Sequence, residues 1–251
     1  MSIAIVTGAS SGMGEEFCRR IDGRGYDCIW MIARNTERME RIAEGLRTPC
    51  KVIECDLTDR EGLDRLSDIV SSERPDIGLL VCNAGVGYIG DIDVLSVEDQ
   101  RRMVDLNINA LVSMIPPMVG CMGRGSNVIV LCSLSAYLPM PHLAVYSSTK
   151  AFVRHYCDAI RGELEPKGIH VLEVSPGWVD TGFIDNCKGG MKVPDKVFNG
   201  MVSREDVVSK AMSDMDKGRK RSQVGLRTRG ISFLGDHFRG FALRTWKGYW
   251  R

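Results

Sequence analysis

The chain has 251 residues, of which 44% are hydrophobic and 26% charged, and its formal net charge is +1. This composition is ordinary for a soluble globular protein. The first residues lack the basic segment and apolar core of a signal peptide, and no apolar run approaches the length of a membrane span. We therefore expect a soluble, cytoplasmic protein, and we expect no nucleic-acid partner.

The nine cysteines are odd in number, show no Cys-x-x-Cys spacing and fall mostly among apolar neighbours. This pattern favours small core residues in a reducing compartment over a disulfide framework. It also predicts that the protein has no metal site.

Apolar runs typical of buried strands alternate with helical segments as far as residue 174. Strands are predicted at 3–7, 28–33, 52–55, 77–82, 127–132 and 169–174. Helices are predicted from the first glycine turn to about 24, and over 36–46, 59–72, 96–118 and 146–165. The alternation indicates a mostly parallel sheet covered on both faces, which is a doubly wound, Rossmann-type α/β fold in a single domain.

The regular alternation ends after Pro176. We assign residues 1–216 to the domain, with an irregular substrate loop at about 181–202 and a helix at 203–215. Residues 217–251 form a basic extension with ten Lys or Arg and one acid, Asp236. The rest has 23 basic and 31 acidic residues, so the body carries −8 and the extension +9.

Six apolar residues of the extension recur at a spacing that predicts an amphipathic helix: Ile231, Leu234, Phe238, Phe241, Ala242 and Tyr249. Such a basic helix could lie on an anionic membrane. Several glycines interrupt its apolar stripe, so we favour packing on the fold or on a neighbouring subunit.

A glycine-rich turn connects the first strand to the first helix. Glycines there let the backbone approach a pyrophosphate, and the helix N-terminus offers free N–H groups. A tight turn without a ligand is the alternative. The candidate cofactor residues of this turn are Gly8, Ser10, Ser11, Gly12, Met13 and Gly14.

A second candidate site runs from Ser133 to Lys150. On a helix, Tyr146 and Lys150 at i and i+4 share one face, so the ammonium can sit beside the phenol. A free phenol has a pKa of about 10, and a nearby cation favours the phenolate and lowers that value. Ser133, at the end of the fifth strand, could supply a second hydroxyl. The pattern indicates a proton donor near neutral pH.

The Gly-x-x-x-Gly-x-Gly spacing together with Tyr146-x-x-x-Lys150 resembles the short-chain dehydrogenase/reductase family, in its single-domain, NADP-preferring branch. Further marks of that family follow in order over roughly residues 1–215: Asp56-Leu57, Asn83-Ala84-Gly85, Asn107, Ser133 thirteen residues before Tyr146, and Pro176-Gly177-Trp178-Val179-Asp180-Thr181. One departure is Cys82, which replaces the first Asn of the family's Asn-Asn-Ala-Gly and could alter hydrogen bonding near the adenosine.

The resemblance implies roles for these residues. Tyr146 would be the acid in reduction and the base in oxidation, Lys150 would lower its pKa and hold the nicotinamide ribose, and Ser133 would polarise the substrate oxygen. Asn107 would anchor a water that links Lys150 to solvent. Cofactor contacts would also come from Asp56, Leu57, Asn83, Ala84, Gly85, Pro176, Gly177, Val179 and Thr181. Members are commonly homodimers or homotetramers joined through their long helices.

The end of the second strand bears on the choice of cofactor. An acid there would bind the ribose 2′-hydroxyl of NAD, whereas an arginine accommodates the 2′-phosphate of NADP. The segment Ile32-Ala33-Arg34-Asn35 has no acid, and Arg34 offers a guanidinium. NADP(H) is therefore favoured over NAD(H), with Arg38 as an alternative contact.

The candidate substrate residues are mainly apolar or aromatic, which suits a hydrophobic ketone or secondary alcohol. A hydroxysteroid dehydrogenase is the leading hypothesis, and a reductase of 3-oxoacyl thioesters, on acyl carrier or CoA, comes next. A regulatory protein that binds NADP but has lost turnover is the alternative of another class. Besides Ser133, the candidate pocket residues are Val86, Tyr88, Tyr137, Met140, His142, Trp178, Phe183 and Ile184.

Overall fold

The structure is a computed structural model that describes residues 2–182, 187, 193–238, 240, 244, 246 and 248. It contains strands β1 Ser2–Thr7, β2 Cys28–Ala33, β3 Cys50–Glu54, β4 Asp76–Cys82, β5 Asn127–Leu131, β6 His170–Val174, β7 Val179–Asp180, β8 Val202–Ser203 and β9 Arg221–Ser222.

Within the described residues, seven of these strands form one parallel sheet in the order β3-β2-β1-β4-β5-β6-β9. The chain order reverses between β1 and β4, which places a crevice at the carboxyl ends of these two strands. β7 and β8 pair separately. The predicted doubly wound, mostly parallel fold is confirmed.

In the described part of the chain, the helices with continuous bounds are α1 Gly12–Ile21, α2 Thr36–Ala43, α3 Arg60–Glu73, α4 Val97–Val104, α5 Ala110–Val119, α6 Ala144–Leu164, α7 Arg204–Asp216 and α8 Leu226–His237. The predicted helix 96–118 corresponds to α4 and α5, joined by the π-helical turn Asp105–Asn109. Its predicted N-cap is present, since Ser96 Oγ accepts a hydrogen bond from the Asp99 amide at 3.0 Å.

Side chains of the central strands alternate between two apolar layers. Ile5 faces the layer that includes Met114 of α5 and Cys157 of α6. Val6 faces the opposite layer, with Phe17 of α1 and Met212 of α7. Because both faces of the sheet are covered, the strands read as continuous apolar runs in the sequence.

The sheet extends beyond residue 216, into the segment that the sequence analysis set apart as a basic extension. β9 pairs with β6, in the register Glu173 to Arg221 and Val174 to Ser222. After β9, α8 packs on the 3-10 turn Leu134–Tyr137. The beginning of the extension is therefore an integral part of the fold.

α8 differs from the predicted amphipathic helix. Its buried residues are small, namely Thr228, Ser232 and Gly235, whereas Phe238, expected on the apolar stripe, is exposed. Small residues are needed because a Cβ added to Gly235 would lie 2.6 Å from the Tyr137 carbonyl oxygen. The stripe residues Ile231 and Leu234 are half-buried, and Phe241, Ala242 and Tyr249 lie outside the described residues.

The cysteines are free thiols, and six of the nine are buried. Among the helices of the described residues, none combines the length and apolarity needed to cross a bilayer.

A buried carboxylate on β6 connects the C-terminal strand to the turn after β5. Glu173 accepts hydrogen bonds from the Tyr137 hydroxyl at 3.1 Å and from the Ser175 hydroxyl at 2.5 Å. Its second oxygen lies 3.2 Å from Arg221 Nε of β9. A fully buried carboxylate is stable only when its oxygens have hydrogen-bond or ion-pair partners.

Tyr137→Phe removes one of these donors, so we expect the free energy of unfolding to fall by about 1–3 kcal/mol. Denaturant unfolding followed by circular dichroism measures this loss. Tyr156→Phe is the matched control, because its half-buried ring stacks on Phe152 at the surface of α6. Equal unfolding midpoints for the two variants would show that the Tyr137 hydroxyl does not stabilise the fold.

Candidate functional site

The glycine turn between β1 and α1 requires residues without side chains. Gly8 and Gly12 have φ angles of +65° and +57°, in the left-handed region. A Cβ on Gly14 would lie 2.0 Å from the Gly8 carbonyl oxygen, so the turn folds tightly on itself. Ser11 caps α1 without a side-chain hydrogen bond. The first-turn N–H groups of α1 therefore remain available to an anionic ligand.

The carboxyl end of β4 is tied to the glycine turn. Asn83 Nδ2 donates to the Thr7 carbonyl at 2.9 Å, and Thr7 Oγ1 accepts from the amides of Asn83 and Ala84 at 3.0 and 3.1 Å. Cys82 lies in the core layer between the sheet and α5, and burial raises its pKa. The departure at Cys82 thus faces the core, and these hydrogen bonds do not depend on it.

At the ends of β2 and β3, a cation and an acid face each other. Arg34 Nη1 lies 3.7 Å from Asp56 Oδ2, and the Arg34 side chain is 62% exposed. Partial burial raises the pKa of Asp56, but hydrogen bonds from Thr58 outweigh it and lower the pKa below its ordinary value. Leu57 beside it is buried. Arg38 is exposed one helical turn beyond Arg34.

Tyr146 and Lys150 occupy the first two turns of α6, where both side chains are buried. A hydrogen bond joins the Tyr146 phenol to the Ser133 hydroxyl. Lys150 Nζ donates to the Leu131 carbonyl at 2.8 Å and lies 5.9 Å from the centre of the Tyr146 ring. The predicted triad is therefore assembled where β5 ends and α6 begins.

The pKa of Tyr146 is raised, whereas the sequence analysis predicted that Lys150 would lower it. Burial raises it above the ordinary value of a phenol, and the hydrogen bond with Ser133 only partly offsets this effect. Lys150 turns its ammonium toward Leu131, and burial lowers the lysine's own pKa. The phenol is thus protonated at neutral pH, the form that can donate a proton to a developing alkoxide.

Asn107 is buried in the π-helical turn between α4 and α5. Its Oδ1 accepts from the Val86 amide at 2.9 Å, while Nδ2 donates to the Val86 carbonyl at 2.8 Å and to Thr149 Oγ1 at 3.0 Å. Gly85 lies against it, since an added Cβ would be 3.1 Å from Asn107 Oδ1 and 3.5 Å from Lys150 Nζ. The side chain braces the loop after β4 against α6.

The segment after β6 passes between the glycine turn and the 3-10 turn Leu134–Tyr137, which we call the Ser133 turn after its N-cap residue. The Pro176 carbonyl accepts from the Leu134 amide at 2.8 Å. An added Cβ on Gly12 would be 3.6 Å from Thr181 Cγ2, which brings the end of this segment to the start of α1. Gly177 is half-buried, and Val179 is buried where β7 pairs with β8.

Tyr146 belongs to an apolar cluster. Four of the candidate pocket residues belong to it: Val86, Tyr88, Met140 and Trp178. Sequence spacing missed Ile89, Leu143, Cys187 and Trp246, which share the cluster. Ile89 and Leu143 directly follow the candidates Tyr88 and His142, whereas Trp246 comes from a distant part of the chain, where no local pattern marks it.

Two candidate pocket residues have other surroundings. Tyr137 belongs to the core layer beneath α6, and its hydroxyl donates to Glu173. His142 Nδ1 lies 2.6 Å from Asp91 Oδ1, which links the loop before α6 to the loop after β4. Phe183 and Ile184 lie outside the described residues.

A family model described as short chain dehydrogenase matches residues 2–190. The chain belongs to this family. It is accordingly an oxidoreductase, a dehydrogenase or reductase that depends on NAD(P).

The relatives of this chain are named for different substrates. An uncharacterized oxidoreductase of Staphylococcus epidermidis is 32% identical over 190 residues, which cover 75% of this chain and 82% of the relative. A serine 3-dehydrogenase of Agrobacterium fabrum is 28% identical over 82% of this chain and 84% of its own. A very-long-chain 3-oxoacyl-CoA reductase of Podospora anserina is 27% identical over 76% of this chain but only 58% of its own.

Among solved structures, a short-chain dehydrogenase from Sphingobium yanoikuyae in complex with NADPH superposes with a TM-score of 0.79. It is 25% identical, and the match covers 94% of this chain and 93% of the other. The fold and order of elements are thus shared over nearly the whole length.

Gly14→Ala places a methyl group against the backbone of Gly8, which cannot move without opening the turn. We expect NADPH to bind at least about tenfold more weakly, since the amides that would face the pyrophosphate are displaced. Fluorescence titration with NADPH measures the change. Gly162→Ala on α6 is the control, because nothing lies within 4 Å of an added Cβ there. Wild-type affinity in Gly14→Ala would contradict a cofactor cradle at this turn.

Proposed function

We propose that the protein is an NADP(H)-dependent oxidoreductase that interconverts a ketone and a secondary alcohol on a hydrophobic substrate. The observation that carries this proposal is the buried Tyr146 phenol, hydrogen-bonded to Ser133 and part of an apolar cluster. The crevice at the ends of β1 and β4 has glycines where a side chain would clash, so the residues present fit a dinucleotide.

The bound nicotinamide supplies the hydride in reduction and accepts it in oxidation. In the reductive direction, Ser133 donates a hydrogen bond to the carbonyl oxygen, and Tyr146 transfers its proton to that oxygen as negative charge develops there. In the oxidative direction, the Tyr146 phenolate takes the proton of the alcohol. Lys150 would hold the nicotinamide ribose, and Asn107 keeps the loop after β4 in place beside Lys150.

The remaining cofactor contacts follow the crevice. The glycine turn with Ser10, Ser11 and Met13 would hold the pyrophosphate, and Asp56 with Leu57 would contact the adenine. Asn83-Ala84-Gly85 and Pro176 through Thr181 would contact the riboses and the nicotinamide.

The preference for NADP(H) rests on the end of β2. The Arg34 guanidinium is largely exposed, and its 3.7 Å distance from Asp56 Oδ2 is longer than a hydrogen bond. It therefore remains able to bind a 2′-phosphate. The NADPH complex of the similar structure supports this assignment.

The apolar cluster around Tyr146 favours a bulky hydrophobic substrate, and a hydroxysteroid is our first candidate. A 3-oxoacyl thioester is the second, favoured by the resemblance to the very-long-chain 3-oxoacyl-CoA reductase. The resemblance to a serine dehydrogenase indicates a smaller, polar substrate instead. Parallel assays with a hydroxysteroid, a 3-oxoacyl-CoA and serine, each with NADP(H) and NAD(H), decide among them.

The enzymes of this family are commonly oligomeric, and we propose a homodimer or homotetramer joined through α4, α5 and α6. Val104 on α4 and Phe152 on α6 are large apolar residues left exposed on these helices. Covering them would remove apolar surface from water.

Tyr146→Phe deletes the proton donor while leaving the ring in the cluster. Turnover should fall by on the order of 10²–10⁴ because general-acid catalysis is lost. NADPH affinity should stay within about twofold, since the phenol hydroxyl contributes little to binding. Steady-state rates and NADPH titration measure the two effects. Turnover of the variant near the wild-type rate would exclude this phenol as the acid. Turnover by the wild-type protein would exclude the alternative of a regulatory NADP-binding protein.

Arg34→Ala should raise KM for NADPH at least about tenfold and leave KM for NADH unchanged, because only the 2′-phosphate contact is lost. Initial rates with both cofactors give the ratio of specificities. The matched variant is Arg38→Ala, which should have a smaller effect. If Arg38→Ala changes the ratio and Arg34→Ala does not, the phosphate contact belongs to Arg38.

A further inference from the structure

Helix α8 is held against the turn that follows Ser133. Arg154 of α6 forms two hydrogen bonds with Asp236 of α8, at 2.7 and 2.9 Å. The same guanidinium lies 4.0 Å from the centre of the Tyr137 ring. Gly235 lets α8 approach the Tyr137 carbonyl closely. The chain after β9 is thus held beside the substrate side of the site.

Further along, Trp246 reaches the loop that precedes α6. Its indole Nε1 donates to the Pro141 carbonyl at 3.2 Å, and the side chain is only 9% exposed. It belongs to the same apolar cluster as Tyr146 and Leu143. A tryptophan more than 95 positions from each of these residues therefore contributes to the surroundings of the phenol.

We propose that Trp246 forms a wall of the substrate pocket and limits the size of the ketone or alcohol that reaches Tyr146. This inference rests on the proposed function and adds a determinant of specificity to it. The large indole offers a flat apolar surface, and its hydrogen bond to the Pro141 carbonyl helps to fix the orientation of the ring. Met140, beside Pro141, packs against the same cluster, so the loop and the indole both contribute to it.

Trp246 would limit the size of the substrate because the substrate must come close to the Tyr146 phenol. Tyr146 must reach the substrate oxygen within hydrogen-bond distance, so groups attached to the carbonyl carbon must fit among the remaining cluster residues. An indole there leaves room for compact substituents and excludes large ones. Its removal should relax this limit without changing the acid or the cofactor crevice.

The test compares Trp246→Ala and Trp246→Phe with the wild-type enzyme. Phe233→Ala is the control, because Phe233 belongs to α8 but is 56% exposed. The probes are a small aryl methyl ketone, a bicyclic ketone and a ketosteroid. For each, kcat/KM with NADPH is measured, together with calorimetric binding of the ketone to the protein loaded with NADP⁺, NADPH affinity and the thermal midpoint.

Trp246→Ala should raise the ratio of kcat/KM for the ketosteroid to kcat/KM for the small ketone. The expected increase is at least about tenfold, which corresponds to 1.4 kcal/mol. Trp246→Phe should produce a smaller change, and Phe233→Ala none. NADPH affinity should be unaffected. A ratio within about twofold of wild type, or a uniform loss for all ketones, would overturn the proposal.

The outcomes separate the inference from the function on which it rests. If the wild-type enzyme reduces no ketone of the panel, the proposed function fails, and the calorimetric affinities still show whether Trp246 selects ligands by size. If the wild type reduces ketones but the ratios are unchanged, only the role of Trp246 fails. If Trp246→Ala does not fold, Trp246→Phe and Trp246→Leu supply the same comparison.

Discussion

The hydrogen bond from the Lys150 ammonium to the Leu131 carbonyl fixes the start of α6 against the end of β5. A buried lysine is costly unless its donors find acceptors, so this bond constrains how the helix meets the sheet. One turn earlier on the same helix, Tyr146 is held within hydrogen-bond reach of Ser133, which follows β5. The relative position of the two hydroxyls is therefore set by backbone elements and not by flexible loops.

The parallel sheet extends this constraint to the cofactor crevice. β5 pairs with β4 and β4 with β1, so the Ser133 turn, the Asn83 segment and the glycine turn follow strands that end at the same edge. Asn107 connects this edge to α6 through Val86 and Thr149. The C-terminal segment closes the arrangement from the other side, because β9 binds β6 and α8 rests on the turn after Ser133.

Much of this arrangement follows from the sequence. Continuous apolar strands and the glycine turn specify the fold, and the spacing of Tyr146 and Lys150 specifies a shared helix face. The pKa of Tyr146 could not be inferred in this way, since it depends on burial that only the tertiary structure establishes. The position of Tyr137 likewise depends on Glu173, a buried acid inside an apolar strand whose partners lie far apart in the chain. Trp246 could not be connected to the site because nothing in its local sequence distinguishes it from the other aromatic residues near the C-terminus.

The proposed reaction requires hydride transfer to a carbonyl carbon next to Tyr146. Single-turnover reduction of a ketosteroid with NADPH deuterated at C4 of the nicotinamide, followed by mass spectrometry of the product, tests this directly. We predict a secondary alcohol that carries one deuterium on its carbinol carbon. Tight NADPH binding without any deuterated alcohol, for the ketosteroid and for smaller ketones alike, would contradict the account.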